Sequence, residues 1–451
     1  MRKIVVFILI INYFQGNTQN WRSLFNGKDL TGWEKKGGNA PYRVENGVIL
    51  GTGVIKSPNT FLCTKERFSD FILELDVLLP NDMNSGIQFR SNLNENNRVF
   101  GYQCEIDPDS NRSWTGGVYD ESRRGWLYPL SRNENGRNAF KMGHWQKIRI
   151  ECLGSDIRIY VNNIMTSWLV DDMTADGFFG LQVHSISEDK AGNIVKWKNI
   201  KILTDNIESY RLPVDPEVPQ INYLKNQLTE WERAKGFRLL WDGKTINGWR
   251  GAKLDDFPES GWTIKDGILT VEATDGGEST GPGDIVTTRN YSDFELELEF
   301  KITEGANSGI KYFVDPDLNK GSGSAIGCEF QILDDRNHPD AKLGVAGNRT
   351  MGSLYDLITA KNLSTKGRSK QFKGVGNWNK ARIVSKNGKV EHWLNNELVV
   401  QYDRFSQMFE ALVNYSKYQQ WENFGRWPEG LILLQDHGNE VSFKSIKIRE
   451  F

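Results

Sequence analysis

The chain has 451 residues, 38% of them hydrophobic and 25% charged, with a net charge of −2 at neutral pH. That length exceeds one ordinary domain and predicts about two to three, while the near-zero charge removes the electrostatic ground for nucleic acid or an anionic membrane as partner. With 15 Trp and 44 Gly against 13 Pro, the composition suits a turn-rich all-β protein, in which most tryptophans belong to cores and exposed ones can stack on sugars.

Met1-Arg2-Lys3 leads into the apolar run Ile4 to Ile11, which extends to Phe14, and then into polar Gln15 to Asn20. A basic start, a short apolar run and a small-residue exit predict a secretory leader over residues 1–20. The run is too short to span a bilayer, no cysteine follows it to carry a lipid, and no second run reaches spanning length. The expectation is an exported protein, periplasmic or secreted, without membrane insertion. Cys63, Cys104, Cys152 and Cys328 form no CxxC pair and are too few for a disulfide scaffold. Buried free thiols are expected, with one disulfide left open.

From residue 21 onward one pattern is stated twice. Leu24-Phe25-Asn26-Gly27-Lys28 with Gly32-Trp33 returns as Leu240-Trp241-Asp242-Gly243-Lys244 with Gly248-Trp249. Ser69-Asp70-Phe71 returns as Ser292-Asp293-Phe294, Asn84-Ser85-Gly86-Ile87 as Asn307-Ser308-Gly309-Ile310, and Tyr119-Asp120 as Tyr355-Asp356. The shared order predicts two copies of one domain, residues 21–204 and 236–451. Phe294 to Phe300 alternates apolar and acidic residues as a half-buried strand does. Asn387-Gly388 between two strand-like runs marks a tight hairpin. The predicted fold class is all-β, two tandem two-sheet sandwiches or jelly rolls. Residues 205–235 do not repeat: Pro213, Pro216 and Pro219 predict an extended linker. Leu224, Leu228 and Trp231 predict a short helix from Asn222 to Lys235, ended by Gly236.

In the second copy, Glu329-Phe330-Gln331-Ile332-Leu333 places Phe330 and Ile332 on one strand face and Glu329 and Gln331 on the other. The strand enters a turn holding Asp334, Asp335, His338 and Asp340. A carboxylate, an amide and an imidazole brought together can hold a polar ligand and move protons. The alternative is an exposed strand ending in an ordinary Asp/Asn/Pro turn.

These residues, with Leu354-Tyr355-Asp356-Leu357, Val390 to Asn395 and Leu434-Gln435-Asp436-His437-Gly438, carry a resemblance. The chain resembles the 3-keto-disaccharide hydrolase domain family, formerly catalogued as a domain of unknown function. The second copy matches it from end to end and the first is more divergent. The resemblance implies concanavalin A-like jelly rolls and a carbohydrate substrate, a glycoside oxidised at C3. A ketone at C3 acidifies the C2 proton, so a base can form an enolate that expels the C1 substituent, and water can then add back. Such a site needs a base near C2, a donor or cation at the C3 oxygen and an acid for the leaving group.

Glu329, Gln331, Asp334, Asp335 and His338 are expected to form one wall of the cleft. His392, Gln435 and His437 would form the other, with Arg349 and Asp356 at the mouth and Tyr355 and Asp436 among the substrate-binding groups. The base stays unassigned, a His or an Asp being preferred to Glu329. His392 shares a face with Val390 and Leu394, so a packed core histidine is its alternative. The chemistry requires no covalent nucleophile, and the residues point to no definite cofactor, although the same groups suit a divalent metal ion. In the first copy Gln103, Glu105 and Asp109 stand at Glu329, Gln331 and Asp335, Ile159 stands at His392, and nothing matches His338. Val183 stands at Asp436 and His184 at His437. That copy keeps Arg90, Trp114, Tyr119, Asp120 and Trp126, and a binding or scaffolding role is expected for it. For the whole chain the competing class is a non-catalytic carbohydrate-binding protein. Oligomeric state is not legible.

Overall fold

The computed structural model describes residues 21–451 apart from 275–276, 279–280 and 362–370. The expected leader, residues 1–20, lies outside the described residues. Alternation decides most strands. Phe294, Leu296, Leu298 and Phe300 enter a core shared with Ile310, Tyr312, Phe330 and Ile332, so one face of each strand is committed to packing. Among the described residues the first half holds a nine-stranded and a seven-stranded sheet, the second an eight-stranded and a five-stranded one. Each pair of sheets encloses its own apolar core. The fold is all-β, two tandem jelly-roll sandwiches. Asn387 and Gly388, both with positive φ, turn the chain between Asn379–Lys386 and Lys389–Leu394, the backbone a two-residue hairpin demands. All four cysteines are buried and free.

The segment between the halves differs from expectation. Gln220–Asn222 adds as a parallel strand to Ile164–Val170 of the first half, and of the helix expected from Asn222 to Lys235 only Glu230–Ala234 forms. Asn222 is engaged elsewhere, donating to Gln227 O at 2.9 Å and to Glu232 Oε2 at 2.7 Å. The helix instead begins where Thr229 and Glu232 form a capping box, which satisfies the free N–H groups of a first turn. Gly236, at φ +86°, ends it as predicted.

Phe294–Ile302 is also not half-buried. Glu295, Glu297 and Glu299 are 1%, 7% and 4% exposed, because the first half docks on that face. Arg132 reaches within 3.7 Å of Glu297, Ser131 donates to Glu397, and Lys380 donates to Asn222 O at 2.8 Å.

Candidate active site

Asn307–Asp315 and Ile326–Leu333 pair antiparallel, with Gly309 opposite Gln331 and Lys311 opposite Glu329. Ile310, Tyr312, Phe330 and Ile332 face the core, so the period of two sends Asn307, Lys311, Glu329 and Gln331 to the open face. There they line a cavity of about 200 Å³ together with Tyr355, Gln435 and His437. The chain following the helix Gln407–Asn414 brings Lys417, Tyr418 and Trp421 to the same cavity. Gly309 is required beneath it. A Cβ there would lie 2.2 Å from Glu329 Oε1, so any side chain would push the carboxyl away.

Glu329 is 5% exposed, and burial raises its pKa to about 7 despite the nearby Lys311 and Lys417. Lys311 Nζ stands 3.7 Å from Glu329 Oε2 and is held by Ser324 Oγ at 2.5 Å and Ala325 O at 3.2 Å. The Gln331 amide lies 3.0 Å from Glu329 Oε1. Turned one way, its NH₂ donates to an ionised carboxylate. Turned the other, its oxygen accepts from a protonated carboxyl while its nitrogen donates to Asn307 Oδ1 at 3.1 Å. Both protonation states of Glu329 therefore find a partner, as a group that exchanges protons near neutrality requires.

His437 lines the cavity, with the His338 ring centroid 6.1 Å from its own. Burial, then the neighbouring His437, lowers the pKa of His338. Its Nδ1 accepts from Asp340 N at 3.1 Å, which leaves the neutral ring's proton on Nε2. Gln435 donates to Glu278 Oε1 at 3.2 Å across the cleft.

Of the expected site residues, His338 meets the cavity only through its edge contact with the His437 ring, and six more lie elsewhere. His392 is fully buried between the sheets, its Nε2 2.8 Å from Tyr312 Oη and its Nδ1 3.1 Å from Gly352 O. Burial lowers its pKa to about 4, so it is a neutral core histidine. Asp334 accepts from Gly305 N at 2.9 Å and from Asn337 Nδ2 at 2.8 Å, and Asp335 accepts from Met351 N at 2.7 Å. Both carboxylates are engaged by turn backbone. Asp436 accepts from Gly283 N and Gly438 N, fixing the loop that presents His437. Arg349 bridges Asp340 at 2.9 Å and Asp356 at 2.7 Å, and Asp340 also accepts from Tyr355 Oη at 2.9 Å. Arg349 and Asp356 thus hold Tyr355 against the cavity from behind.

Lys311, Lys417, Glu278 and Trp421 escaped sequence reasoning. Lys311 continues the alternation of Asn307 and Gly309 and was readable there. Lys417 and Trp421 come from a distant loop with no local signal. Among the described residues, no group of three or more His, Cys, Asp or Glu is placed to hold a metal ion.

The first half rearranges this chemistry. Gln88 and Gln103 occupy the register of Lys311 and Glu329, and Gln88 Nε2 donates to Gln103 Oε1 at 2.6 Å. The acid stands two residues along as Glu105, whose oxygens accept from Asn84 at 2.6 Å and Gln103 at 2.8 Å. Trp114 is buried, Arg90 is committed to Asp70 and backbone carbonyls, and Asp120 is bound by Arg123 and Arg124. Tyr119 and Trp126 remain open to a cavity between the halves.

The model of the 3-keto-alpha-glucoside-1,2-lyase-like domain matches residues 20–203 and 236–449. A curated protein of Bacteroides thetaiotaomicron, named 3-keto-disaccharide hydrolase, is 34% identical over 290 residues, covering 59% of this chain and 90% of that protein. The crystal structure of a provisionally named glycosyl hydrolase of Parabacteroides distasonis is 30% identical at a TM-score of 0.44, covering 51% of this chain and 100% of that one.

Proposed function

From the 3-keto-alpha-glucoside-1,2-lyase-like domain family, to which the chain belongs, we propose that its second domain cleaves glycosides oxidised at C3, as an exported glycosidase. The name of the Bacteroides thetaiotaomicron relative supports the substrate class. The observation that carries the chemistry is Glu329, a buried carboxyl poised near neutrality beside Lys311 and facing Lys417 across the cavity.

In this reading Glu329 is the base, in preference to the histidines and aspartates. Its carboxylate takes the C2 proton, and the C3 oxygen, gaining negative charge as the enolate forms, is met by the Lys311 and Lys417 ammonium groups. The C1–O bond then breaks with the electron pair on the leaving oxygen, to which His437 delivers a proton. Water adds at C1 while C2 regains its proton, so the net change is hydrolysis. Trp421, half-buried at the rim, offers a face for the sugar ring.

Release of aglycone from a 3-keto-glycoside tests this. His437→Ala is expected to lower kcat by about 10²-fold with little change in melting temperature, and His338→Ala to lower it less. Saturable binding without turnover by the wild-type protein would instead identify a carbohydrate-binding module. Because two ammonium groups already supply positive charge at the cavity, a chelator is expected to leave the rate unchanged. Loss of activity restored by a divalent ion would make a metal the electrophile.

A further inference from the structure

A cavity larger than the Glu329 cleft lies between the two halves and takes no part in the chemistry proposed above. It measures about 890 Å³, within the ~300–1,000 Å³ typical of small-molecule sites, against about 200 Å³ at the Glu329 cleft. One wall is the edge of the first domain's seven-stranded sheet, strands Val118–Glu121 and Gly125–Tyr128. The other is the outer face of the second domain, contributing Glu299, Trp378 and Lys444.

Its placement repeats that of the active site. Tyr119 pairs with Gln103, the register position of Glu329, and is the counterpart of Tyr355, which lines the Glu329 cleft. The same end of the same sheet face thus opens on a cavity in both domains, but in the first domain the second one closes it.

Its lining suits a sugar. Tyr119 and Trp126 meet edge to face with centroids 5.3 Å apart, and the Trp126 ring is half-buried beside the cavity. Trp378 offers a second ring opposite, and Met173 is 53% exposed in the same cavity. Aromatic faces give sugar rings stacking area. The charges are nearly matched. Arg124 binds Asp171 at 2.7 Å, Arg123 binds Asp120 at 2.8 Å, Arg112 binds Asp107 at 2.7 Å and Lys444 lies 3.5 Å from Glu299. Among the described residues three lining charges have no ion pair: Lys225 and Asp172, both exposed, and Lys373, which is half-buried and sits 5.7 Å from the Tyr223 ring centroid. We infer that the cavity between the domains is a second saccharide site, for a short oligosaccharide bearing a carboxylate that pairs with Lys373 while its rings stack on Tyr119, Trp126 and Trp378.

Calorimetric titration of the full chain with a glucuronic acid-terminated disaccharide and with its neutral glucose-terminated counterpart tests this. The wild-type protein should prefer the acidic sugar. Trp126→Ala should weaken both by about tenfold or more, whereas Lys373→Gln should weaken only the acidic one and erase the preference. Both variants should keep the wild-type rate on a 3-keto-glycoside, which separates this site from the Glu329 cleft and shows that they fold. Absence of saturable binding by the wild-type protein, or binding unchanged in both variants, would overturn the site. Equal weakening of both sugars by Lys373→Gln would overturn the carboxylate.

Discussion

Glu329→Gln is expected to lower kcat/KM on a 3-keto-glycoside by about 10²–10⁴-fold and, above pH 7, to raise the melting temperature. The two effects share one cause. Burial raises the Glu329 pKa from 4.5 to about 7, so the folded protein holds this proton more tightly than the unfolded chain. Folding stability must then fall as pH rises from about 4.5 to about 7 and stay reduced above it. Glutamine keeps the shape without the charge, recovering up to ~3 kcal/mol above pH 7 and nothing at pH 4. Activity runs the other way. A base must be ionised, so kcat/KM of the wild-type protein should fall tenfold per pH unit below about 7. Denaturation midpoints and a pH–rate profile check both. A glutamine variant that keeps its activity, or an acidic limb located far from pH 7, would remove Glu329 from the role of base.

The pairing of lost activity with gained stability also distinguishes a proton-transfer role from a structural one. A carboxyl needed only for the fold would lose both together. Gly309 fits the first case, since it leaves the space that Glu329 occupies. The first domain repeats the device with Gly86, where an added Cβ would lie 2.3 Å from Gln103 Cδ. There the side chain accommodated is an amide, and the buried carboxyl stands two residues along as Glu105, its pKa raised by burial to about 7.

The duplicated all-β architecture was legible because alternation survives in short stretches: Phe294 to Phe300 shows its buried face without any knowledge of its neighbours. The same logic placed Glu329 and Gln331 on one face, and His392 with Val390 and Leu394 on the face that proved to be core. What alternation cannot say is which sheet a polar face looks out from, and this misplaced His392. Asp334, Asp335 and Asp436 failed for another reason. A carboxylate after a strand serves a turn's N–H groups as readily as a ligand, and residue type does not separate the two uses. The expected helix from Asn222 had the right spacing, but the hydrogen bonds of Asn222 and the capping box at Thr229 confined it to one turn. Lys417 and Trp421 reach the cleft through tertiary folding alone. The burial of Glu295, Glu297 and Glu299 likewise depends on where the other domain docks.

That docked face sets the second large effect. Glu297→Gln is expected to destabilise the protein by about 3–5 kcal/mol, read as a shift in denaturation midpoint. Burial by itself would raise the pKa of this carboxyl. Instead Lys447 at 3.2 Å, Lys380 at 3.6 Å, and Arg132 and Arg382 each at 3.7 Å hold it well below the usual range. Removing the charge leaves those cations buried with too few partners, whereas Asp317→Asn, which breaks a pair 76% and 79% exposed, should change nothing measurable. A depressed carboxylate contributes stability above its unfolded pKa and loses it as pH falls through the folded one. The gap between variant and wild type should therefore be full at pH 7 and narrow below about pH 4. Arg132 comes from the first domain, so a double-mutant cycle of Arg132→Met with Glu297→Gln reports whether this cluster joins the two sandwiches. Strong coupling is the expected result. Simple additivity would mean that the glutamates stabilise only their own sheet and that the domains are held together by the contacts of Ser131, Asn222 and Lys380.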